Sequence, residues 1–180
     1  MPRTVETARM LLRPFAAGDA GELFALDNDP EVMRHISKRP VSREEVEREL
    51  RWFMRPGEYG FWAAEERAGG GFLGWFHLRP REEDPPGHAE LGYRLRRSAW
   101  GRGYATEGAI ALVALAFGEL GAERVYAEGM AAHTASRRVM EKAGLRYVRT
   151  FDAGWPEVLD GAEEGDVEYE ALRADWRPTG

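Results

Sequence analysis

The sequence has no cysteine, no long apolar run and no surplus of basic residues. The absence of cysteine excludes a disulfide framework, a thiolate nucleophile and a cysteine-based zinc site, and it makes a reducing compartment the default. No apolar run reaches the roughly 18 residues that a membrane-spanning helix needs, and the N-terminus lacks the apolar core of a signal peptide. We therefore expect a cytoplasmic protein with no membrane partner.

The charge balance argues against a direct nucleic-acid partner. The chain has 25 Lys and Arg residues against 31 Asp and Glu residues, a formal net charge of −6, whereas nucleic-acid binders usually have a basic surplus. The histidines His35 and His77 show no spacing typical of metal ligands, so we expect no metal site.

The length and composition are those of one globular domain. The 180 residues are 43% hydrophobic and 31% charged, which is ordinary for a chain long enough to bury its own core. No internal repeat or linker divides the chain, and the Pro- and charge-rich residues 79–87 form too short a loop to separate two domains. We expect a single domain over residues 1–180.

Hydrophobic periodicity and turn signals predict alternating helices and strands. Helices are predicted after Asp19, after Pro30, after the capping box of Ser42 and Glu45, over residues 104–117 and over residues 134–143. Strands are predicted over residues 10–14, 61–66, 72–78, 88–96, 125–128, 145–151 and 167–172. This order predicts a mixed α/β (α+β) domain around one twisted sheet flanked by helices.

A glycine-rich turn joins a predicted strand to the apolar helix that begins near Tyr104. The joining residues are Arg97-Ser98-Ala99-Trp100-Gly101-Arg102-Gly103. Alternate glycines permit positive φ and close backbone approach, and the first N–H groups of a helix have no partner inside it. The turn therefore favours a bound phosphate, and Arg97 and Arg102 add positive charge.

Gly-x-Gly alone is a weak signal, because an ordinary strand–helix turn also uses glycine for its geometry. A P-loop is excluded, since no Gly-Lys-Ser/Thr follows. A dinucleotide fingerprint requires Gly or Ala at Thr106 and a near-continuous apolar strand running into Gly101, and the sequence has neither.

Two longer motifs in order are far more specific, and they resemble the GNAT (Gcn5-related) N-acetyltransferases. The first is Trp100-Gly101-Arg102-Gly103-Tyr104-Ala105-Thr106-Glu107, and the second is His133-Thr134-Ala135-Ser136-Arg137-Arg138-Val139-Met140-Glu141-Lys142-Ala143-Gly144-Leu145. Residues 8–14, 29–33 and 90–93 resemble the branch that acetylates the N-termini of ribosomal proteins. The similarity covers roughly residues 5–176.

The resemblance implies a central sheet of about seven strands, with acetyl-CoA bound where two neighbouring parallel strands splay apart. These strands would be residues 88–96 and 125–128. Three residues would pair with the pantetheine arm through their backbone: Leu95, Arg96 and Arg97. Five backbone amides would hold the pyrophosphate: Arg102, Gly103, Tyr104, Ala105 and Thr106. The same amides form the anion site that the turn itself predicts.

The chain departs from the family pattern at three positions near the implied cofactor. Ser98 stands where a Gln or Arg is frequent, which leaves only the backbone site there. His133 stands in place of an Asn and keeps a hydrogen-bonding side chain for the pantetheine. Met140 stands where many relatives have a Tyr acid, and the ribosomal-protein branch uses a nearby Ser, which implies Ser136 as the proton donor.

We predict Glu90 as the base, because it lies mid-strand on the same face as Gly92 and would point toward the cleft. Glu90 could instead face solvent or pair with Arg94, and His88 is a second candidate base. The alternative for Ser136 is a local hydrogen bond to helix backbone.

Two further cofactor contacts have structural alternatives of their own. Arg137 is predicted on the 3′-phosphate of CoA, and its alternative is a solvated helix face. For His133 the alternative is a helix cap or an exposed position. An amine acceptor would attack the thioester directly in a ternary complex, since no cysteine exists to carry an acyl group.

The branch implies a protein α-amino group as the acceptor. Such a group has a pKa near 8, against about 10.4 for lysine, so more of it is neutral at pH 7. The C-terminal part of the chain is acidic, which either solubilises the surface or attracts a cationic acceptor such as a basic protein tail. Its acidic residues are Asp152, Glu157, Asp160, Glu163, Glu164, Asp166, Glu168 and Glu170.

Other functions fit the same sequence. A small-molecule acetyltransferase would act on a polyamine, an amino acid or an antibiotic. A sensor would bind acyl-CoA without catalysis, which the departures at Ser98 and His133 permit. Exposed strand edges would allow a homodimer.

Overall fold

The computed structural model describes residues 2–154 and 159–177, which form one open sheet with helices against both faces. The helices are α1 (Ala20–Asp27), α2 (Arg43–Phe53), α3 (Tyr104–Gly118) and α4 (Thr134–Lys142). The strands are β1 (Val5–Glu6), β2 (Met10–Pro14), β3 (Gly60–Glu66), β4 (Phe72–Arg79), β5 (His88–Leu95), β6 (Arg124–Met130), β7 (Arg146–Phe151) and β8 (Asp166–Leu172). The mixed α/β fold class is confirmed.

The strand order is β1-β2-β3-β4-β5-β6-β8-β7, so the sheet has eight strands rather than about seven. The additional strand is β1, which is two residues long and too short to produce an alternating pattern. Among the strands described, β5 and β6 are the one parallel pair, and the other neighbours are antiparallel. The described sheet is therefore antiparallel on either side of one parallel junction, between β5 and β6.

Side chains alternate along the central strands, so each strand contributes to two hydrophobic cores, one on each face of the sheet. Phe61 and Trp75 pack with α1 and α2 on one face, whereas Phe76 and Leu91 pack with α3 on the other. The helix α3 approaches the sheet so closely that a Cβ at Gly108 would lie 2.3 Å from the Phe76 ring. No described helix has the length and apolar character needed to cross a membrane.

Two residues were predicted to cap helix N-termini, Asp19 and Ser42. Both lie at the start of a helix, but only Ser42 caps it with its side chain. Ser42 Oγ accepts from the Glu45 N–H (3.2 Å), and the Glu45 carboxylate accepts from the Ser42 N–H (2.7 Å), which confirms the capping box of α2. Asp19 precedes α1 but makes no side-chain cap to it. Its carboxylate pairs with Arg13 (2.7 Å) instead.

The predicted short helix after Pro30 is wrong. Residues 30–36 form hydrogen-bonded turns, with separate bonds from the Met33 N–H to the Asp29 carbonyl (3.0 Å) and from the Ile36 N–H to the Met33 carbonyl (2.9 Å). So short a segment does not offset the cost of helix nucleation. The turns lead from α1 toward the start of α4.

Candidate active site

The two parallel strands separate immediately after Glu90 and Tyr126. These residues form the last cross-strand pair between β5 and β6 in the described chain. Beyond them β5 continues along β4 to Leu95, while β6 continues along β8 to Met130. A wedge-shaped cleft therefore opens from Glu90 toward the carboxyl ends of both strands, in the place that the sequence resemblance implies.

An open helix N-terminus lies beyond the carboxyl end of β5. Gly101 and Gly103 have positive φ values of 69° and 81°, which glycine adopts without steric cost. The first backbone hydrogen bond of α3 runs from the Glu107 N–H to the Gly103 carbonyl (3.0 Å), so the amides of residues 104–106 have no partner inside the helix. No described side chain caps this end. The turn has the geometry of an anion site.

Arg9, which the sequence analysis did not identify, holds this turn in place. Its guanidinium donates to the Arg102 carbonyl (2.8 Å) and pairs with Glu107 (2.7 Å). It also lies over the Tyr104 ring, 4.4 Å from the ring centre. No local sequence signal links Arg9 to a turn more than ninety residues away, because the contact depends on the position of β2 in the sheet.

The two arginines predicted near the phosphate site differ in their surroundings. The Arg102 side chain pairs with Glu66 (3.3 Å) and stacks on Tyr104 (5.0 Å), so part of its charge is neutralised. Arg97 begins a single 3-10 turn, Arg97–Ala99, and is exposed. Positive charge at the turn therefore comes mainly from Arg97 and from the helix amides.

The backbone predicted to pair with pantetheine lies where β5 ends. The Leu95 carbonyl already accepts a hydrogen bond from the Trp100 indole N–H (2.8 Å), and the Arg96 N–H donates to the Leu73 carbonyl (2.9 Å). A carbonyl oxygen accepts two hydrogen bonds, so Leu95 keeps one free lone pair. Pairing of Leu95, Arg96 and Arg97 with pantetheine stays a prediction.

A cavity of about 230 Å³ lies between the segment after α1 and the start of α4. Its walls come from the turns after α1, from Trp100 and from the start of α4, where His133 is the residue before the helix. The His133 ring lies 4.7 Å from the His35 ring. Burial and the neighbouring His35 lower the pKa of His133 to about 4, so it is neutral at physiological pH. His133 thus lines this cavity, and its contact with pantetheine stays a prediction.

Glu90 lies buried at the closed end of the cleft, among arginines. Its carboxylate pairs with Arg81 (2.6 Å) and with Arg79 (3.3 Å). Arg81 also pairs with Glu128 on the opposite wall (2.8 Å). Burial by itself raises the pKa of Glu90, but His77 and Arg81 outweigh it and lower the pKa to about 2. The carboxylate is therefore ionised at neutral pH and holds a proton only weakly.

Both alternatives considered for Glu90 are wrong. Its exposure of 9% excludes a solvent-facing position. Arg94 pairs with Asp27 on α1 (2.5 Å) rather than with Glu90.

Ser136 faces the same cleft from the first turn of α4. The Tyr93 hydroxyl lies 3.0 Å from Ser136 Oγ and donates to the Ser136 carbonyl (3.1 Å). Tyr93 belongs to the part of β5 that has separated from β6, so this contact bridges the two walls. Burial raises the pKa of Tyr93 to about 12 and keeps the phenol protonated. Met140 is buried one turn further on.

Arg137 does not extend from the helix as a free cation. Its guanidinium donates to the Tyr169 hydroxyl (3.2 Å) and to the Ala131 carbonyl (3.3 Å). The neighbouring Arg138 is exposed. A contact of Arg137 with the 3′-phosphate stays a prediction, and it requires these two hydrogen bonds to be exchanged.

A wedge between splayed parallel strands, with an open helix start beyond the end of β5, is the arrangement expected of a protein that binds a long phosphate-bearing cofactor. Residues 9–146 match the family described as "Acetyltransferase (GNAT) domain". The chain therefore belongs to the GNAT family, and it is an N-acetyltransferase that uses acetyl-CoA as its co-substrate.

Several individual proteins are similar to this chain in sequence or in structure. A curated protein from Aspergillus fumigatus, named FsC-acetyl coenzyme A-N(2)-transacetylase, is 37% identical over 185 residues, which cover 96% of this chain and 77% of the relative. A ribosomal-protein-S5-alanine acetyltransferase from Vibrio fischeri has a similar structure, with a TM-score of 0.79, 15% identity and coverage of 97% and 99% of the two chains. A Vibrio cholerae spermidine N-acetyltransferase, solved with CoA and spermine, has a TM-score of 0.77, 16% identity and coverage of 92% and 96%.

The residues present fit acetyl-CoA. The amides of residues 104–106 offer donors to a pyrophosphate, and the cleft beyond Glu90 leaves strand edges for an amide-bearing arm. The sequence analysis named this backbone site, Glu90 and Ser136, and their roles stay predictions. It missed Arg9, Arg81 and Tyr93, which contact those groups from elsewhere in the fold.

Proposed function

We propose that the protein transfers the acetyl group of acetyl-CoA to a primary amine by direct attack in a ternary complex. The observation that carries this proposal is the position of Glu90 at the point where the cleft closes. An acyl group whose carrier lies along the cleft, with its diphosphate at the start of α3, would be held near this carboxylate. The absence of cysteine from the sequence removes the usual thiol for a covalent acyl-enzyme.

The reaction requires one proton to leave and one to arrive. The neutral amine attacks the thioester carbonyl carbon, the C–N bond forms and the C–S bond breaks. We assign the Glu90 carboxylate to remove the proton of the amine and the Ser136 hydroxyl to protonate the leaving thiolate. Ser136 is supported by its place on the cleft wall beside the Tyr93 hydroxyl.

Two acceptor classes are proposed on different observations. A protein α-amino group is supported by the resemblance of residues 8–14, 29–33 and 90–93 to the ribosomal-protein branch. A small-molecule amine is supported by the 37% identity to a relative whose name specifies acetyl transfer to an N(2) position. Either class presents an amine to the same carboxylate.

The acidic C-terminal part lends less support to a basic acceptor than its composition suggested. Several of its side chains are neutralised within the fold: Asp160 with Lys38 (3.1 Å), Glu168 with Arg149 (2.7 Å) and Glu170 with Arg124 (2.6 Å). Glu157 lies outside the described residues. Long-range attraction depends on net rather than paired charge, so we do not base the choice of acceptor on this segment.

The release of CoA thiol from acetyl-CoA tests the proposal, with basic and neutral N-terminal peptides, polyamines and amino acids as acceptors. We expect turnover with one class, and loss of about 10²-fold or more in kcat for Glu90→Gln and a smaller loss for Ser136→Ala. The exposed loop variant Glu83→Gln is the matched control and should keep the full rate. Binding of CoA with no turnover on any amine would contradict the proposal.

A further inference from the structure

A buried imidazole lies directly beside Glu90. His77 on β4 is opposite Gly92 on β5 in the antiparallel register, so its side chain is on the same face of the sheet as that of Glu90. The ring is packed between Trp75, with ring centres 5.7 Å apart, and Phe61, at 5.1 Å. Only 8% of His77 is exposed. His77 therefore lies behind Glu90, on the side away from the cleft.

Gly92 provides the space in which this ring lies. A Cβ at Gly92 would be 2.5 Å from Cε1 and 2.8 Å from Nε2 of His77, closer than carbon atoms approach in real structures. Gly92 is not among the glycines with positive φ, so its backbone does not require glycine. The glycine is explained by the close approach of the imidazole.

Polar atoms of the pair have no hydrogen-bond partner. Both ring nitrogens of His77 and Oε2 of Glu90 are buried without a hydrogen bond in the described chain, although Oε2 has an ion-pair contact with Arg79 (3.3 Å). His77 Nε2 and Glu90 Oε2 are 3.6 Å apart, slightly beyond a normal hydrogen bond. Buried polar atoms are nearly always satisfied, and unsatisfied titratable groups beside a cleft are typical of functional sites.

We propose that His77 is the proton store of the active site: Glu90 removes the amine proton and passes it from Oε2 to Nε2 of His77. This inference rests on the proposed function of Glu90. The step requires the neutral imidazole tautomer that carries its hydrogen on Nδ1, and this ring becomes an imidazolium paired with the restored carboxylate. After the products leave, His77 gives this proton to solvent and Ser136 takes one back from solvent, so the cycle needs no other reactant.

The charges around the pair explain why a store is needed. With Arg81 (2.6 Å) and Arg79 (3.3 Å) on its carboxylate, Glu90 favours the ionised form and does not keep a proton long enough to complete the transfer. Burial lowers the pKa of His77 below its usual 6.5, the Glu90 carboxylate opposes this shift, and Arg79 and Arg81 add to it. His77 is therefore neutral and ready to accept at neutral pH, and its imidazolium form would be stabilised by Glu90.

Titration of the imidazoles by NMR tests the link without any acceptor. In the intact protein labelled at histidine, Glu90→Gln should move the His77 midpoint to lower pH, because the carboxylate that favours the imidazolium is gone. His133, which precedes α4 and makes no described contact with Glu90, serves as the internal control and should keep its midpoint. An unchanged His77 midpoint in Glu90→Gln would overturn the inference.

Kinetics supply the second test. His77→Gln keeps a polar side chain of similar length but cannot store a proton, so kcat should fall about 10²-fold while the KM for acetyl-CoA stays within about twofold. The acid limb of the kcat profile should also disappear. If His77→Gln retains the wild-type kcat while Glu90→Gln does not, the proposal that His77 stores the proton is wrong, and the proposed function stands. If the wild type acetylates no amine, the proposed function fails, and the NMR titration still decides the link.

Discussion

Single ionisable residues beneath the first two helices affect the stability of this protein. Asp27 on α1 is only 2% exposed and pairs with Arg94 (2.5 Å). Glu49 on α2 lies next to it. Burial and then the Asp27 carboxylate raise the pKa of Glu49 to about 7, because a second negative charge is unfavourable there. Glu49 therefore holds a proton in the folded protein at pH values where the unfolded chain has lost it.

The sign of this shift makes a prediction for Glu49→Gln. The contribution of Glu49 to stability is present below its unfolded pKa of 4.5 and is lost as the pH rises through about 7. Glutamine mimics the protonated form, so the variant should be more stable than wild type by about 1 kcal/mol at pH 8, a rise of about 2–4 °C in Tm. Thermal unfolding at about pH 5 and pH 8 measures it.

The same unfolding experiments include a control on the same helix. Glu47 is exposed on α2, and Glu47→Gln should leave Tm nearly unchanged at both pH values. An equal rise in Tm for Glu49→Gln at pH 5 and pH 8 would show that Glu49 is not the titrating group.

At the scale of structural elements, the conformation of the turn before α3 depends on a glycine within the turn and on an arginine that is distant in sequence. Gly103 supplies the left-handed conformation, with φ of 81°, that points the helix amides outward. Arg9 on the distant segment before β2 then fixes the turn through the Arg102 carbonyl and Glu107. A phosphate site of this kind requires both parts, because its amides bind only when they are held in a common direction.

We predict that Gly103→Ala weakens CoA binding. A left-handed alanine costs about 1–2 kcal/mol, and the new Cβ would lie 3.3 Å from Arg9 Nη2. The Kd for CoA should rise about tenfold, as measured by calorimetry, with a parallel loss of stability. Gly118→Ala is the matched control, since Gly118 ends the same helix in open space and should bind CoA as wild type does. A Kd within twofold of wild type for Gly103→Ala would refute the role of this turn.

At the scale of the whole molecule, ion pairs join strands and loops that are distant in sequence. Arg81 connects Glu90 on β5 with Glu128 on β6, and Arg124 on β6 pairs with Glu170 on β8. The Arg81 pairs link β5 and β6 at the point where these strands lose their backbone pairing, whereas the Arg124 pair joins β6 and β8, which stay paired along their length. The Arg81 pairs therefore help to hold together the two halves of an open sheet.

The acid stability of the protein should reflect this network. The pKa of Glu90 is lowered from 4.5 to about 2, so its contribution is present above pH 4.5 and is lost as the pH falls toward 2. The free energy of unfolding should fall between pH 6 and pH 3, with about 2 kcal/mol of the loss due to Glu90. Urea unfolding should show a smaller loss for Glu90→Gln, whereas Glu83→Gln should match wild type. An equal fall in the free energy of unfolding in all three proteins would exclude a stabilising role for the ionised Glu90 carboxylate.

Local patterns in the sequence predicted much of the fold. The capping box of Ser42 and Glu45, the strand ended by Pro14 and the glycine turn before Tyr104 depend on neighbouring residues, and all are found in the structure. The turns after Pro30 and the two-residue β1 were not predicted, because segments so short carry too little periodic signal. The open amides at the start of α3 were predictable for the same reason as the capping box.

The sequence by itself determined the order of the elements, the open amides at the start of α3 and the type of residue at Glu90 and Ser136. Only the tertiary structure decided what surrounds those residues. Arg81 reaches Glu90 from the loop after β4, and His77 meets it through the register of β4 and β5. Cross-strand register and loop position arise from contacts between distant parts of the chain, which no window of neighbouring residues contains.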